Sequence, residues 1–193
     1  MQIFFFPRVL VFYRDYLKNM FPYIIGYVIN GNLYIKLGSK KLLNFLEFLI
    51  IHTQGQYDFL STLCAIDYPW KIKRFEVIYN ILSMRFNSRM IFILDVEENE
   101  FVETIKYFFS NAAWLEREVW DLFGIFFYNN NDLRRILTDY GFKGHPLRKD
   151  FPLTGFVEAR YSTTEKRILI EETTLSQKHR IFFFNNNWTQ FID

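Results

Sequence analysis

Between Arg74 and Leu82 every second residue is apolar, so Phe75, Val77, Tyr79 and Ile81 fall on one side of an extended chain. A period of two cannot be laid on a helix. The stretch is therefore a strand with one buried face, and such a strand needs neighbours to complete its ladder. Phe59–Ile66 and Arg89–Val96 are similar runs on either side of it. Tyr23–Ile29 and Leu33–Leu37 add a hairpin through Asn30-Gly31, a pair that tolerates positive φ at both central positions of a tight turn. A short helix is expected over Val9–Asn19. A second starts with Ser39 as its cap, carries Leu42, Leu43, Leu46, Leu49 and Ile50 at helical spacing, and ends near Gly55. Asn99 is read as the cap of a helix through Phe109, and Asn111 as the cap of another through Phe123. Strands and helices that come in groups imply an α+β fold, a two-layer sandwich of helices on a mixed sheet, spanning residues 1–123.

Beyond Phe123 the pattern changes. Gly141, Gly144, Pro146, Pro152 and Gly155 interrupt any regular element, yet the chain stays aromatic, unlike a disordered linker. Residues 124–193 are read as an extended, irregular C-terminal arm. It contains one short hairpin, Val157–Tyr161 with Ile168–Ile170, and a tail through Phe182–Phe184 and Trp188. An apolar arm this long without its own core is expected to wrap a partner.

Composition removes several classes of function. A formal charge of +2 on 193 residues gives no strong field for nucleic acid. Cys64 is the only cysteine, which excludes an internal disulfide and the cysteine set of an iron–sulfur cluster; it is expected to be buried in the strand-like LSTLCAI. Arg8, Arg14, Asp15 and Lys18 break the Phe-rich start too often for a spanning helix, and no cleavage site for a targeting peptide follows it. The excess of Phe, Tyr, Ile, Asn and Lys is what A/T-rich codons specify, and it points to an organellar gene.

On the helix after Asn111, Ala112, Leu115, Val119, Leu122 and Phe123 form an apolar stripe expected to face the core. Trp114, Arg117 and Asp121 lie together on the other side, flanked by Glu118 and Trp120. An Arg117–Asp121 pair is expected there, and the two tryptophans mark the face as an interface. Glu116, Glu118 and Asp121 do not converge on one point, so structural ion pairs are expected of them rather than acid–base work. Arg134, Arg135, Arg148 and Lys149 alternate with Asp132, Asp139 and Asp150, which suits ion pairing with a partner or with the domain itself. Tyr140 and His145 sit in Gly-bearing turns. His52, His145 and His179 have no metal-site spacing, and no nucleotide-binding motif occurs.

Several runs carry a family resemblance: EREVWDLFGIFF from Glu116, DLRRILTDYGFKGHPLRKDFPLTGF from Asp132 and VEARY from Val157. AIDYP (Ala65–Pro69), RFEVIYNILS (Arg74–Ser83) and LSQKHR (Leu175–Arg180) extend it to about two thirds of the chain. The pattern resembles the 30-kDa subunit family of respiratory complex I, the proton-pumping NADH:ubiquinone oxidoreductase. The resemblance implies a subunit without a cofactor of its own, packed beside the 49-kDa subunit in the hydrophilic arm, on the matrix side of the mitochondrial inner membrane. Flavin (FMN) and iron–sulfur clusters would then belong to other subunits. Trp114, Arg117, Glu118, Asp121, Arg134, Arg135, Asp139, Tyr140, His145, Arg148, Lys149 and Asp150 would be contact or organising residues. Two alternatives stay open: the equivalent subunit of a related membrane-bound hydrogenase complex, and a direct role for His145 or Asp139 in proton transfer to quinone. The chain departs from the family pattern at Asn130-Asn131, at Glu172 and at Asn186-Asn187, where a His-Pro and two prolines are usual.

Overall fold

The computed structural model describes residues 7–177 together with Arg180 and Phe182, with only the backbone of Pro7 and Arg8. His179, the tail at Phe183, Phe184 and Trp188, and the departure at Asn186-Asn187 lie outside the described residues. The chain divides into two compact units, 1–151 and 152–193. The break thus follows Phe151, not Phe123 as the change of composition suggested, because the Gly- and Pro-rich segment bonds back to the helix that precedes it.

In chain order the first unit holds α1 (Pro7–Met20), β1 (Ile25–Ile29), β2 (Asn32–Gly38), a 3-10 turn (Ser39–Lys41), α2 (Leu42–Ile51), β3 (Phe59–Asp67), β4 (Phe75–Ser83), β5 (Ser88–Val96), β6 (Val102–Glu103), α3 (Ala112–Phe123) and β7 (Phe127–Tyr128). Asn30 (φ 51°) and Gly31 (φ 75°) close the β1–β2 hairpin as their residue types require. The main sheet runs β1-β2-β5-β4-β3, parallel only where β2 meets β5. It is the mixed sheet expected.

One face of this sheet is the core. Leu33, Ile35, Leu37, Phe75, Val77, Tyr79, Ile81, Met90, Phe92, Leu94 and Val96 are buried in a single cluster with Leu17 of α1, Phe45, Leu46 and Leu49 of α2, and Ala112, Val119 and Phe123 of α3. Aromatic edges lock the middle of it. Phe45 meets Phe21 at 5.2 Å and Phe92 at 5.5 Å, both edge-on. The opposite face keeps its side chains half-buried or exposed. Cys64 is on that face, exposed, and so corrects the expectation of a buried thiol: it lies opposite Ile78 on the outer side of an edge strand.

Three caps differ from expectation. The Ser39 hydroxyl donates to the Glu100 carboxylate instead of capping α2, which begins only at Leu42. Asn111 does precede α3, but its amide donates to the Leu60 carbonyl at 2.8 Å and leaves the helix without a side-chain cap. No helix forms between Asn99 and Phe109. Its backbone donors are taken elsewhere: Val102 N–H bonds to the Phe126 carbonyl (2.9 Å), Thr104 N–H to the Tyr128 carbonyl (3.0 Å) and Ile105 N–H to the Glu116 carboxylate (2.8 Å). The β6–β7 ladder replaces it.

The second unit is built on a hairpin of β8 (Val157–Ser162) and β9 (Arg167–Glu172), close to the bounds read from sequence. Register places Val157, Ala159, Tyr161, Ile168 and Ile170 on one face, and all are exposed. Arg160 and Glu171 form a two-pronged ion pair (2.8 and 3.0 Å) on the other face.

Phe45→Ala is expected to destabilise the full chain by about 3–5 kcal/mol, because a rigid core collapses little around a lost ring. Urea unfolding followed by far-UV circular dichroism measures this; a loss below about 1 kcal/mol would mean that the ring is not a core element.

Candidate functional site

The site grows from the end of α3. A helix leaves its last four carbonyls without intrahelical donors. Here Gly124 N–H bonds to the Trp120 carbonyl (2.8 Å), with Gly124 at φ 78°. His145 Nδ1 reaches the Asp121 carbonyl (3.0 Å), which fixes the tautomer with a proton on Nδ1. Leu147 N–H bonds to the Leu122 carbonyl (3.1 Å), and Arg148 Nε to the Phe123 carbonyl (2.6 Å). The Gly-bearing segment is the C-terminal cap of α3. Only glycine serves at 124, since a Cβ there would lie 2.6 Å from the His145 ring and 2.7 Å from Arg148 Nη2.

Asp121 holds the other half of the segment. Its carboxylate is buried and accepts the backbone N–H groups of Ile136 (3.2 Å), Leu137 (2.9 Å) and Thr138 (3.0 Å), the Thr138 hydroxyl (2.7 Å) and Arg135 Nη1 (2.8 Å). Burial alone would raise its pKa, but the hydroxyl and backbone donors outweigh it and hold the carboxyl well below the usual range. Arg135 extends the cluster to the Gly144 carbonyl (3.0 Å) and lies over the rings of Trp120 and Phe142. Burial also pushes the His145 imidazole down, helped by Arg148 and Arg135, and its bond to the Asp121 carbonyl only partly opposes this.

A second network ties the segment to the sheet. Arg74 forks onto Asp67 (2.7 and 2.9 Å) and reaches Asp150 (3.0 Å) and Glu98 (3.4 Å). Arg148 Nη1 donates to the same Glu98 (2.8 Å), and Lys149 N–H to Asp67 (2.8 Å). Asp67 therefore stays ionised: the Arg74 hydrogen bonds lower its pKa more than burial raises it. Such forked, charge-assisted bonds are stronger than neutral ones.

The expected Arg117–Asp121 pair does not form. Asp121 takes Arg135. Arg117 is buried beneath the returning segment, with its Nε on the Arg134 carbonyl (3.2 Å), its Nη1 3.8 Å from Asp132, and its guanidinium 4.8 Å from the Trp114 ring centre. Among the described residues Glu116 makes no ion pair, contrary to expectation. It is buried among neutral donors: the Thr104 hydroxyl (2.6 Å), Ile105 N–H (2.8 Å) and the Asn130 amide (2.9 Å). Burial pushes its pKa up against all three.

Of the residues singled out in sequence, Asp121, Arg135, His145, Arg148 and Asp150 thus come together as organisers. Arg134 is exposed and pairs with Asp132 (3.1 Å). Glu118 is half-buried, and the Lys149 side chain is exposed. The Asp139 carboxylate accepts the neighbouring Tyr140 N–H (2.7 Å) at the tip of the loop, and its backbone carbonyl accepts Phe142 N–H (3.1 Å). Tyr140 is 100% exposed and Trp114 63%. Asp67, Arg74, Glu98, Thr138, Thr104 and Asn130 were not anticipated. For Asp67 a signal existed, as the one acid closing an otherwise uncharged strand. Among the described residues no group of His, Cys, Asp and Glu could hold a metal, and no helix is long and apolar enough to cross a membrane.

Residues 35–157, well over half of the chain, match the family described as respiratory-chain NADH dehydrogenase, 30-kDa subunit. The chain belongs to this family. NADH-ubiquinone oxidoreductase subunit 9 of Reclinomonas americana is 48% identical over 90% of this chain and 86% of its own. The subunit 9 of Prototheca wickerhamii is 53% identical over 76% of each chain. The NADH dehydrogenase [ubiquinone] iron-sulfur protein 3 of Arabidopsis thaliana is 49% identical over 80% of this chain and 82% of its own. Among solved structures, a chain of an archaeal membrane-bound sulfane sulfur reductase complex shares the fold, with a TM-score of 0.63 over 72% of this chain and 83% of that one, at 23% identity. The 30-kDa family match includes the segment 124–151, so the cap on α3 and the Asp121 cradle lie inside the part that defines the family.

The two buried carboxyls of α3 give opposite pH dependences. Asp121, with its pKa lowered on folding, contributes stability above the unfolded carboxyl pKa of about 3.9 and loses it as pH falls toward the folded value. Glu116, with its pKa raised, favours the fold most below its unfolded pKa of about 4.3 and loses that contribution as pH rises through the folded value. Asp121→Asn is expected to cost about 3–5 kcal/mol at pH 7, since Arg135 stays behind unpaired. Glu116→Gln should be at least as stable as the parent at pH 8, with its relative advantage shrinking by pH 4. Thermal unfolding of both variants across about pH 2–8 reads the two signs, Asp121 at the acid end and Glu116 above its unfolded pKa; parallel curves for Glu116→Gln and the parent would remove Glu116 as a titrating group.

Proposed function

We propose that this chain is a structural subunit, without an active site or cofactor of its own, in the quinone-reducing module of proton-pumping NADH:ubiquinone oxidoreductase. It packs beside the 49-kDa subunit on the matrix side of the mitochondrial inner membrane, while FMN and the iron–sulfur clusters are carried by other subunits. The observation that carries this reading is the division of labour at the site. The ionisable groups gathered at the site are engaged internally: Asp121 by five donors, His145 Nδ1 by a backbone carbonyl, Arg148 by a helix end and Glu98. The exposed side chains include large apolar and aromatic ones, namely Trp114, Leu137 and Tyr140, and on the hairpin Val157, Tyr161, Ile168 and Ile170. Large aromatic side chains are typical anchors of protein interfaces. A two-stranded hairpin is marginal alone and gains stability when another chain covers its apolar face. The names of the relatives and the family match support membership of the NADH dehydrogenase assembly. His145 in this reading is a positioning residue, since its Nδ1 is held by the Asp121 carbonyl and its ring lies against Gly124.

Arg148→Ala should lower the amount of assembled complex on a blue-native gel while leaving NADH:quinone turnover per assembled complex unchanged. A full complement of complex with reduced turnover would favour a direct role in quinone reduction. Co-migration with a nickel–iron large subunit in place of the NADH-oxidising module would favour the hydrogenase-type assembly.

A further inference from the structure

Among the described residues, one edge of the main sheet pairs with no further strand. β3 is its last strand, nine residues long, and pairs on one side only, with β4. In an antiparallel ladder alternate residues turn both their N–H and C=O groups away from the partner strand. Beyond its ladder with β4, the β3 backbone receives one bond among the described residues, from the Asn111 amide to the Leu60 carbonyl. Phe59–Ile66 contains no charge, no lysine and no proline, the devices that normally keep an edge from accepting another strand. A register shift between Leu60 and Thr62 bends the strand at one end, and Asp67 is held by Arg74 and by Lys149 N–H at the other. The open stretch is thus Thr62–Ile66, about 17 Å of strand at about 3.4 Å per residue. Within it Thr62 and Cys64 are exposed, whereas Leu63 and Ala65 are buried on the core side. The opposite edge, β1, is only five residues, and the Arg14 and Lys18 side chains lie against its Gly26.

We propose that the β3 edge accepts an extended segment of a neighbouring subunit, which adds to the sheet as a sixth strand. This rests on the reading of the chain as a subunit of a larger assembly. The ladder itself defines the occupant: its unpaired N–H and C=O groups are met in register only by another extended backbone. Apolar side chains suit the positions beside Leu63 and Ala65, and polar ones are tolerated beside Thr62 and Cys64. A second copy of this chain does not fit. Two five-residue stretches paired about a two-fold axis fall far short of the roughly 20–30 residues a side that a stable interface engages. A segment whose own subunit is already anchored elsewhere in the assembly arrives at high effective concentration and needs no such area.

Hydrogen–deuterium exchange on the native assembly and on the free full-length chain tests this. Membership of an assembly is established first by the blue-native gel, so absence of the chain from any assembly would overturn both readings at that step. Within the assembly, the amides of alternate residues across Thr62–Ile66 should exchange about tenfold or more slowly than in the free chain. A rate at that stretch equal to that of the free chain would overturn the added strand and leave the structural-subunit reading intact. Uniform slowing of every amide from Thr62 to Ile66, with loss of Cys64 labelling by a maleimide, would mean a covered face instead of a paired edge. Protection in the free chain that grows with its concentration would assign the edge to a second copy. Either result would overturn the proposal.

Discussion

The end of α3 carries an electrostatic and hydrogen-bonding deficit, and the order of the segment after it depends on how that deficit is met. Four carbonyls project from the last turn, and the negative end of the helix dipole lies with them. The chain answers with a glycine amide, an imidazole, a backbone amide and a guanidinium, drawn from Gly124, His145, Leu147 and Arg148. Three of these are separated from the helix by more than twenty residues of sequence, so meeting the deficit fixes where the whole returning segment must lie. Asp121 repeats the logic with the opposite sign. Its buried charge is tolerated because three backbone N–H groups, a hydroxyl and Arg135 converge on it, and in converging they order the loop from Arg135 to Gly141.

Charge in this protein is therefore mechanical. Arg74 and Arg148 share Glu98, and Asp67 is shared by Arg74 and the backbone at Lys149, which joins the sheet end to the same segment. The bonds to Asp121 hold the backbone of Ile136, Leu137 and Thr138, while the side chains of Leu137 and Tyr140 stand exposed.

The sheet was legible in the sequence because it obeys a local rule. Strand alternation, the Asn30-Gly31 turn and the spacing of Leu42, Leu46 and Leu49 are each decided within a few residues. The site was legible only in part. Asp121, Arg135, His145 and Arg148 could be named from residue type and position, but their partners could not, since Arg117 is closer to Asp121 in sequence and loses it to Arg135. The helix expected at Asn99 failed for the same reason. A good local cap cannot compete when Phe126, Tyr128 and Glu116 take the backbone donors from a distance. Cys64 was misplaced because an edge strand is apolar on both faces here, and nothing local says which face is covered.

The single parallel pairing in the sheet has a consequence for how the chain reaches this state. Each antiparallel neighbour is reached through a nearby turn, so β1–β2, β3–β4 and β4–β5 can each form as soon as their residues exist. β2 and β5 are different: Leu33 pairs with Met90, and no local turn can bring them together. Closing a loop of that size must precede any reward from the contact, which makes it a slow event in folding. Until then two half-sheets coexist, a lone hairpin and a three-stranded piece, each with an open ladder facing where the other belongs. Of the joins within the main sheet, the β2–β5 seam closes the longest loop, and a chain that has not yet made it leaves the inner edge of β2 open to wrong partners.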